Sequence, residues 1–75
     1  MRKRYKMTDR HGRNYRTVCK TDDPKDIIST ARSFIAMTGG QCKLLVEEVV
    51  NGEYLKTNRF DEAIDKLMTA YQWAN

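Results

Sequence analysis

The sequence predicts a small α+β protein, a two-layer sandwich in which helices cover one face of an antiparallel sheet. Three observations predict this class. Two segments carry apolar residues at helical spacing, two segments of strand-like composition are each centred on a glycine turn, and the two kinds alternate along the chain. The predicted order is β-hairpin, helix, β-hairpin, helix, within a single domain of 75 residues.

Residues 1–20 predict a basic hairpin. "YKMT" and "NYRTVCK" have strand-like composition, and "DRHGRN" between them contains the turn. A two-residue turn at His11-Gly12 and a four-residue loop from Arg10 to Arg13 give one register, which pairs Thr8 with Tyr15, Lys6 with Thr17 and Tyr5 with Val18. Alternation then directs Tyr5, Met7 and Val18 towards a core. It directs a basic set to the opposite face: Arg4, Lys6, Arg10, Arg13 and Tyr15.

A helix is predicted over residues 23–38. Asp22-Asp23-Pro24 is typical of a helix start, because aspartate caps the first N–H groups and proline is tolerated at the first helical position. Gly39-Gly40 is expected to end the helix, with Gly39 in the left-handed conformation. The residues between them share one apolar face, formed by Ile27, Ile28, Ala31, Phe34 and Ile35.

A second hairpin is predicted over residues 41–57, in "QCKLLVEEVVNGEYLKT". Asn51-Gly52 is a strong signal for a two-residue turn, because both turn positions need positive φ. The resulting register pairs Val49 with Tyr54 and places Glu47 opposite Lys56, an attractive pair. One face then carries Leu44, Val46, Val50 and Leu55, and the other carries Leu45, Val49 and Tyr54.

The last helix is predicted over residues 59–73, with Asn58 or Asp61 as its cap. Its apolar stripe consists of Phe60, Ile64, Leu67, Met68 and Tyr71. Trp73 lies beside this stripe.

Positive charge is concentrated at one end of the chain. Residues 1–20 contain eight lysines and arginines and one acid, whereas residues 21–75 contain six bases and nine acids. This asymmetry suggests an anionic partner: nucleic acid first, then an acidic protein face. No secretory signal and no apolar run that would span a bilayer is seen in the sequence, and two cysteines are too few for a disulfide framework. We therefore expect a cytoplasmic protein without a membrane partner and with reduced thiols.

No catalytic or metal-binding pattern is present in the sequence. His11 is the only histidine and stands in a basic turn, and Cys19 and Cys42 have no metal-ligand spacing. We expect neither an enzyme nor a metal or other cofactor.

The basic hairpin is the first candidate site. Arginines fork onto two phosphate oxygens, and a tyrosine stacks on a base or packs on a sugar. The predicted anion-binding residues are Arg4, Lys6, Arg10, Arg13, Tyr15 and Arg16. Two features favour this function: Arg10 and Arg13 face each other across the turn and repel without an anion, and Asp9 is the only acid nearby. The alternative is a solvated hairpin whose charges protect its edge from aggregation.

The second candidate site is the sheet face with Leu45, Val49 and Tyr54. If the helices cover the opposite face, these residues form an exposed patch suited to a protein partner. The alternative is that a helix or the chain end, with Trp73, covers them. An exposed Trp73 or a free strand edge leaves a homodimer open.

The segment from Tyr15 to Leu55, with "NYRTVCKTDDP" before a helix and "CKLLVEEVVNGEYLK" after it, resembles small bacteriophage proteins that inhibit host machinery. These include short phage inhibitors of bacterial RNA polymerase and compact anti-CRISPR proteins. The resemblance implies a protein that acts by occluding a larger partner. The leading prediction is a binding protein whose basic hairpin engages nucleic acid or a nucleoprotein complex, and the alternative is a phage-type inhibitor of a host protein.

Overall fold

Two β-hairpins and two helices alternate along the chain in the computed structural model, which describes residues 4–74. The elements are β1 (Tyr5–His11), β2 (Asn14–Thr21), α1 (Pro24–Thr38), β3 (Leu44–Val50), β4 (Glu53–Lys56) and α2 (Asp61–Ala74). The four strands form one antiparallel sheet, and both helices pack against it. The predicted α+β class and order of elements are confirmed.

The strand order in the sheet is β2-β1-β3-β4. β1 therefore pairs with β2 on one side and with β3 on the other. The N-terminal hairpin is part of the sheet, because β1 lies inside it and β2 forms one of its two edges, the other being β4.

The register of the first hairpin differs from the predicted one. Arg10, and not Thr8, pairs with Tyr15, and His11 pairs with Asn14. The turn is Gly12-Arg13, with Gly12 at a φ of 59°. The physical reason is that a two-residue hairpin turn with glycine first accommodates a positive φ without steric cost, which histidine at that position would incur. Arg10 and Arg13 therefore do not face each other, and the predicted repulsion across the turn is wrong.

A register shift between Met7 and Thr8 accompanies this change. Met7 pairs with Cys19 while Thr8 pairs with Thr17, so β2 contains one extra residue, Val18, at this point. Because the register at the turn differs from the predicted one by two residues, the predicted faces of β1 are retained. Val18 and Cys19 both pack, half-buried, against the core.

The second hairpin has the predicted turn and register. Asn51 and Gly52 have φ angles of 51° and 81°. Val49 pairs with Tyr54, and Glu47 pairs with Lys56. On its other side Glu47 pairs with Lys6 of β1, a neighbour that the sequence alone did not identify.

The core lies between one face of the sheet and the two helices. Its buried members are Tyr5, Met7, Ile27, Ala31, Val46, Phe60 and Ile64. The rings of Tyr5 and Phe60 meet edge to face with centroids 5.1 Å apart. Arg59 covers both rings and donates a hydrogen bond to the Tyr5 hydroxyl, so this arginine closes the core at the start of α2.

Local hydrogen bonds define the ends of the helices. The carboxylate of Asp23 accepts from the N–H of Lys25 at 2.9 Å, and Gly39 ends α1 with a φ of 65°, both as predicted. α2 begins at Asp61, two residues after the predicted start. A turn precedes it, in which the N–H of Arg59 bonds to the Thr57 hydroxyl and the N–H of Asp61 to the Asn58 carbonyl. Within residues 4–74, neither helix has the length and hydropathy needed to span a bilayer.

Candidate functional site

The sheet face turned away from the helices is open to solvent. Tyr5, Met7 and Asp9 of β1 are buried on the helix side, so Lys6, Thr8 and Arg10 lie on the other side. We call this surface the open face. Its members from the four strands and their ends are Arg4, Lys6, Thr8, Arg10, Tyr15, Lys20, Lys43, Leu45, Glu47, Val49, Tyr54 and Lys56.

A groove of about 420 Å³ runs across the middle of the open face. We call it the central groove. Its lining residues are Lys6, Thr8, Arg10, Tyr15, Lys43, Leu45, Glu47 and Lys56. They come from all four strands and from the residue before β3, so the groove exists only because the sheet assembles in this strand order.

The charge of the central groove is strongly positive. Four of its lining residues are lysines or arginines, and one, Glu47, is an acid. Glu47 lies between Lys6 and Lys56 in the register of the sheet, where it reduces the repulsion between those two ammonium groups. Arg10 and Lys43 remain as the cations at the far end, where the N–H of Arg10 bonds to the Lys43 carbonyl.

Two tyrosines of the open face each carry a cation over the ring. Arg10 lies 5.6 Å from the ring centroid of Tyr15, and Lys6 lies 5.2 Å from that of Tyr54. Tyr15 is 60% exposed and Tyr54 is 39% exposed. Both rings are therefore accessible to a ligand, with a positive charge beside each of them.

A second depression lies beside Tyr54, whose ring carries Lys6 of the central groove. It is lined by Arg4, Lys20, Thr21, Asp22 and Tyr54. Two more cations thereby extend the positive surface along the open face, with one carboxylate among them.

Thr8 lies in the central groove and is 6% exposed. Its hydroxyl oxygen is buried and has no hydrogen-bond partner among residues 4–74. Such a group costs roughly 1–3 kcal/mol of folding free energy. Thr8 is thus an unsatisfied polar group directly beneath the cations.

On the helix-covered face, by contrast, the charged side chains are paired within the fold. The carboxylate of Asp9 is fully buried, and it accepts hydrogen bonds from the backbone N–H of Lys43 at 3.0 Å and from Arg16 at 3.3 Å. His11 Nε2 lies 3.6 Å from the same carboxylate, and Arg16 also covers the ring of Phe34 at 5.1 Å. Arg16 is therefore engaged in packing the fold.

The structure separates the predicted anion-binding residues. Arg4, Lys6, Arg10 and Tyr15 share the open face. Arg13 is exposed in the hairpin turn, and Arg16 lies on the helix-covered face, paired with Asp9. The sequence prediction did not include Lys20, Lys43 and Lys56. The Glu47–Lys56 pairing was a signal for the last of these. Lys43 required the strand order, and Lys20 required the extra residue in β2 at Val18, which places Lys20 opposite Lys6.

The predicted protein-interface residues also lie on the open face. Leu45 and Val49 are half-buried, and Tyr54 is more exposed. In the sheet they alternate with cations, since Leu45 pairs with Thr8 beside Lys6 and Arg10. These residues and four of the predicted anion-binding residues thus form one mixed surface, in which apolar side chains separate the positive ones.

The chain shows no significant match to models of known protein families, to curated protein sequences or to solved structures. Within residues 4–74, no three His, Cys, Asp or Glu side chains are grouped as metal ligands.

Proposed function

We propose that this is a non-enzymatic protein that binds nucleic acid through the open face of its sheet. The observation that carries the proposal is the distribution of charge: the central groove has four cations and one acid on a surface built from all four strands. A polyanion that crosses several strands contacts these cations together and releases its condensed counterions.

The contrast between the two faces supports a binding role for these cations. On the helix-covered side, Arg16 is paired with a buried carboxylate, and Arg59 covers two aromatic rings. These contacts give both arginines a role in stabilising the fold. On the open face, Arg10, Lys43 and Lys56 surround a groove that contains a single carboxylate. Their mutual repulsion is relieved when an anion enters.

The absence of a known recognition motif favours contacts to the phosphate backbone over base-edge readout. Binding is then expected to depend on shape and charge and to tolerate changes of sequence. The basic residues outside the groove, Arg4 and Lys20, lengthen the path along which a backbone is held.

The experiment is fluorescence anisotropy with labelled single-stranded and duplex DNA and RNA, at about 50 and 200 mM salt, where phosphate contacts give steep salt dependence. Lys43→Ala/Lys56→Ala removes two cations from the central groove. The backbone hydrogen bonds of Lys43 do not involve its side chain and are retained. Lys25→Ala/Lys66→Ala removes the same charge from exposed positions on the helices.

We expect the groove variant to bind more weakly. Its salt slope should be smaller by about 0.7 for each phosphate that it no longer neutralises on a single strand, or by about 0.9 on a duplex. The control variant is expected to bind like the wild type. Failure of the wild type to bind any of these nucleic acids at about 50 mM salt would falsify the proposal, as would equally weakened binding in both variants.

The second candidate function is binding to a host protein with an acidic face, as an inhibitor that occludes its partner. It is favoured by the interleaving of Leu45, Val49 and Tyr54 with the cations, since protein interfaces combine apolar contacts with charge complementarity. Such binding would weaken less with salt than phosphate binding, because the apolar part of the interface is insensitive to ions.

A further inference from the structure

We infer that the open face binds single-stranded nucleic acid, with one base stacked on Tyr15, another on Tyr54, and the connecting phosphates held across the central groove. This inference rests on the proposed function and adds which form of nucleic acid is bound and how.

The width of the sheet argues against a duplex. The major groove of B-DNA is about 12 Å wide and admits a two-stranded ribbon. Here the N-terminal hairpin is not a free ribbon, because β1 pairs with β3 as well as with β2. Four strands place the outer strand axes about 14 Å apart before side chains are added. The cations of β1 therefore lie in the middle of a surface that is too broad to enter the groove.

The exposed tyrosines favour unpaired bases. Sheets that bind single strands use aromatic side chains on an open face as stacking platforms, because every base has a π-face. In a duplex the faces of the bases are covered by their neighbours. Tyr15 and Tyr54 are 60% and 39% exposed on the same face of the sheet, so both rings are available for stacking.

The positions of the two tyrosines define a path. Tyr15 pairs with Arg10 near one end of β1, and Tyr54 pairs with Val49, whose N–H bonds to Arg4 at the other end. Six residues along a strand and three strand spacings give a diagonal of about 25 Å. Stacked neighbouring bases are only about 3.4 Å apart. The two rings therefore contact different bases, several nucleotides apart.

The cations lie where the connecting backbone would pass. Lys6 and Arg10 are each next to one tyrosine ring, and Lys43 and Lys56 border the groove between them. A base that stacks on a ring displaces the flexible cation from the ring towards the phosphate of the same strand. A bound nucleic acid that displaces the side chains covering Thr8 also brings its own oxygen atoms to the unsatisfied Thr8 hydroxyl.

An acidic protein and a second copy of the chain fit this surface less well. Two copies would place one cationic groove against another, and like charges repel. An acidic protein would match the charge but would not require two aromatic rings at opposite corners of the sheet.

The test measures the anisotropy of labelled single strands of about 12 nucleotides, within the usual size of a single-strand site, and of duplexes of the same length. Tyr15→Leu and Tyr54→Leu remove a ring and keep an apolar side chain, and Tyr15→Phe keeps the ring as the matched control. Thermal unfolding of each variant verifies that the fold is retained.

We expect single strands to bind more tightly than duplexes at equal salt. Each leucine variant is expected to weaken single-strand binding roughly 5- to 150-fold, with the salt slope unchanged, and the phenylalanine variant to bind like the wild type. Duplex binding as tight as single-strand binding, or leucine variants that bind single strands normally, overturns this inference. If the inference is overturned in this way but the Lys43→Ala/Lys56→Ala variant still binds nucleic acid more weakly than the wild type, the proposed function stands without the single-strand inference. No binding to any nucleic acid removes both.

Discussion

The buried carboxylate of Asp9 accepts a hydrogen bond from the backbone N–H of Lys43, 34 positions later in the chain, at 3.0 Å. Asp9 lies on the helix-covered face of β1, and the side chain of Lys43 borders the groove on the opposite face. The bond therefore holds the start of β3 against the end of β1. A packing interaction on one side of the sheet thus positions a candidate binding cation on the other.

Replacing Asp9 by alanine is expected to lower the free energy of unfolding by about 3 kcal/mol, because the Lys43 N–H loses its acceptor and Arg16 loses its partner. Asp9→Asn keeps an acceptor oxygen but not the charge, so we expect a smaller loss of about 1–2 kcal/mol. Urea unfolding followed by circular dichroism measures both. Asp65→Ala, on the exposed surface of α2, is the control, and an Asp9→Ala variant as stable as this one would contradict the assignment.

Replacing Arg10 by alanine is expected to affect binding, and replacing Arg16 by alanine is expected to affect stability. Arg16→Ala should lower the free energy of unfolding by about 0.5–1.5 kcal/mol, since it removes a part-exposed bond to Asp9, and should leave nucleic-acid binding nearly unchanged. Arg10→Ala should reduce the salt slope of binding by about 1. Denaturant unfolding and salt-titrated anisotropy of the two variants measure this. If Arg16→Ala weakened binding more than Arg10→Ala, the binding site would lie on the helix-covered face, contrary to the proposal.

Thr8→Val removes the unsatisfied hydroxyl and preserves the shape of the side chain. We expect the free energy of unfolding to stay the same or to rise by about 1–2 kcal/mol, because valine has no polar group to desolvate. Thr17→Val, at the exposed cross-strand neighbour, is the matched control and should change stability by less than about 0.5 kcal/mol. A clear loss of stability in Thr8→Val alone would show that this hydroxyl is hydrogen-bonded in solution.

Gly12→Ala tests the positive φ of Gly12 in the first hairpin turn. Gly12 has a φ of 59°, and a Cβ added there would meet no atom within 4 Å, so the cost is purely one of backbone conformation. We expect a loss of about 1–2 kcal/mol, which corresponds to a fall in the midpoint of thermal unfolding of roughly 4–8 °C per kcal/mol for a domain of this size. Arg13→Ala, at the next position of the turn, should change the midpoint little. If both variants melted alike, Gly12 would not have the positive φ that the structure gives it.

The sequence by itself determined the elements and their order, because the signals for these are local. A capping aspartate before proline, glycine after the last apolar position, and Asn51-Gly52 between β-branched strands act within a few residues. The bounds of α1 and the register of the second hairpin follow from them. The first hairpin was less well determined, since both His11-Gly12 and Gly12-Arg13 are compatible with the composition and only the conformational preference of Gly12 separates them.

Only the tertiary structure decided which residues share a surface. The pairing of β1 with β3 joins segments about half the chain apart, and the free energy that selects it comes from burying Tyr5, Met7 and Val46 under the helices. No local pattern encodes that pairing. It brings Lys43 and Lys56 beside the basic residues of β1 and joins the predicted interface residues to Arg4, Lys6, Arg10 and Tyr15 on one open face. The register between β1 and β2 places Arg16 opposite the buried Asp9 on the other side.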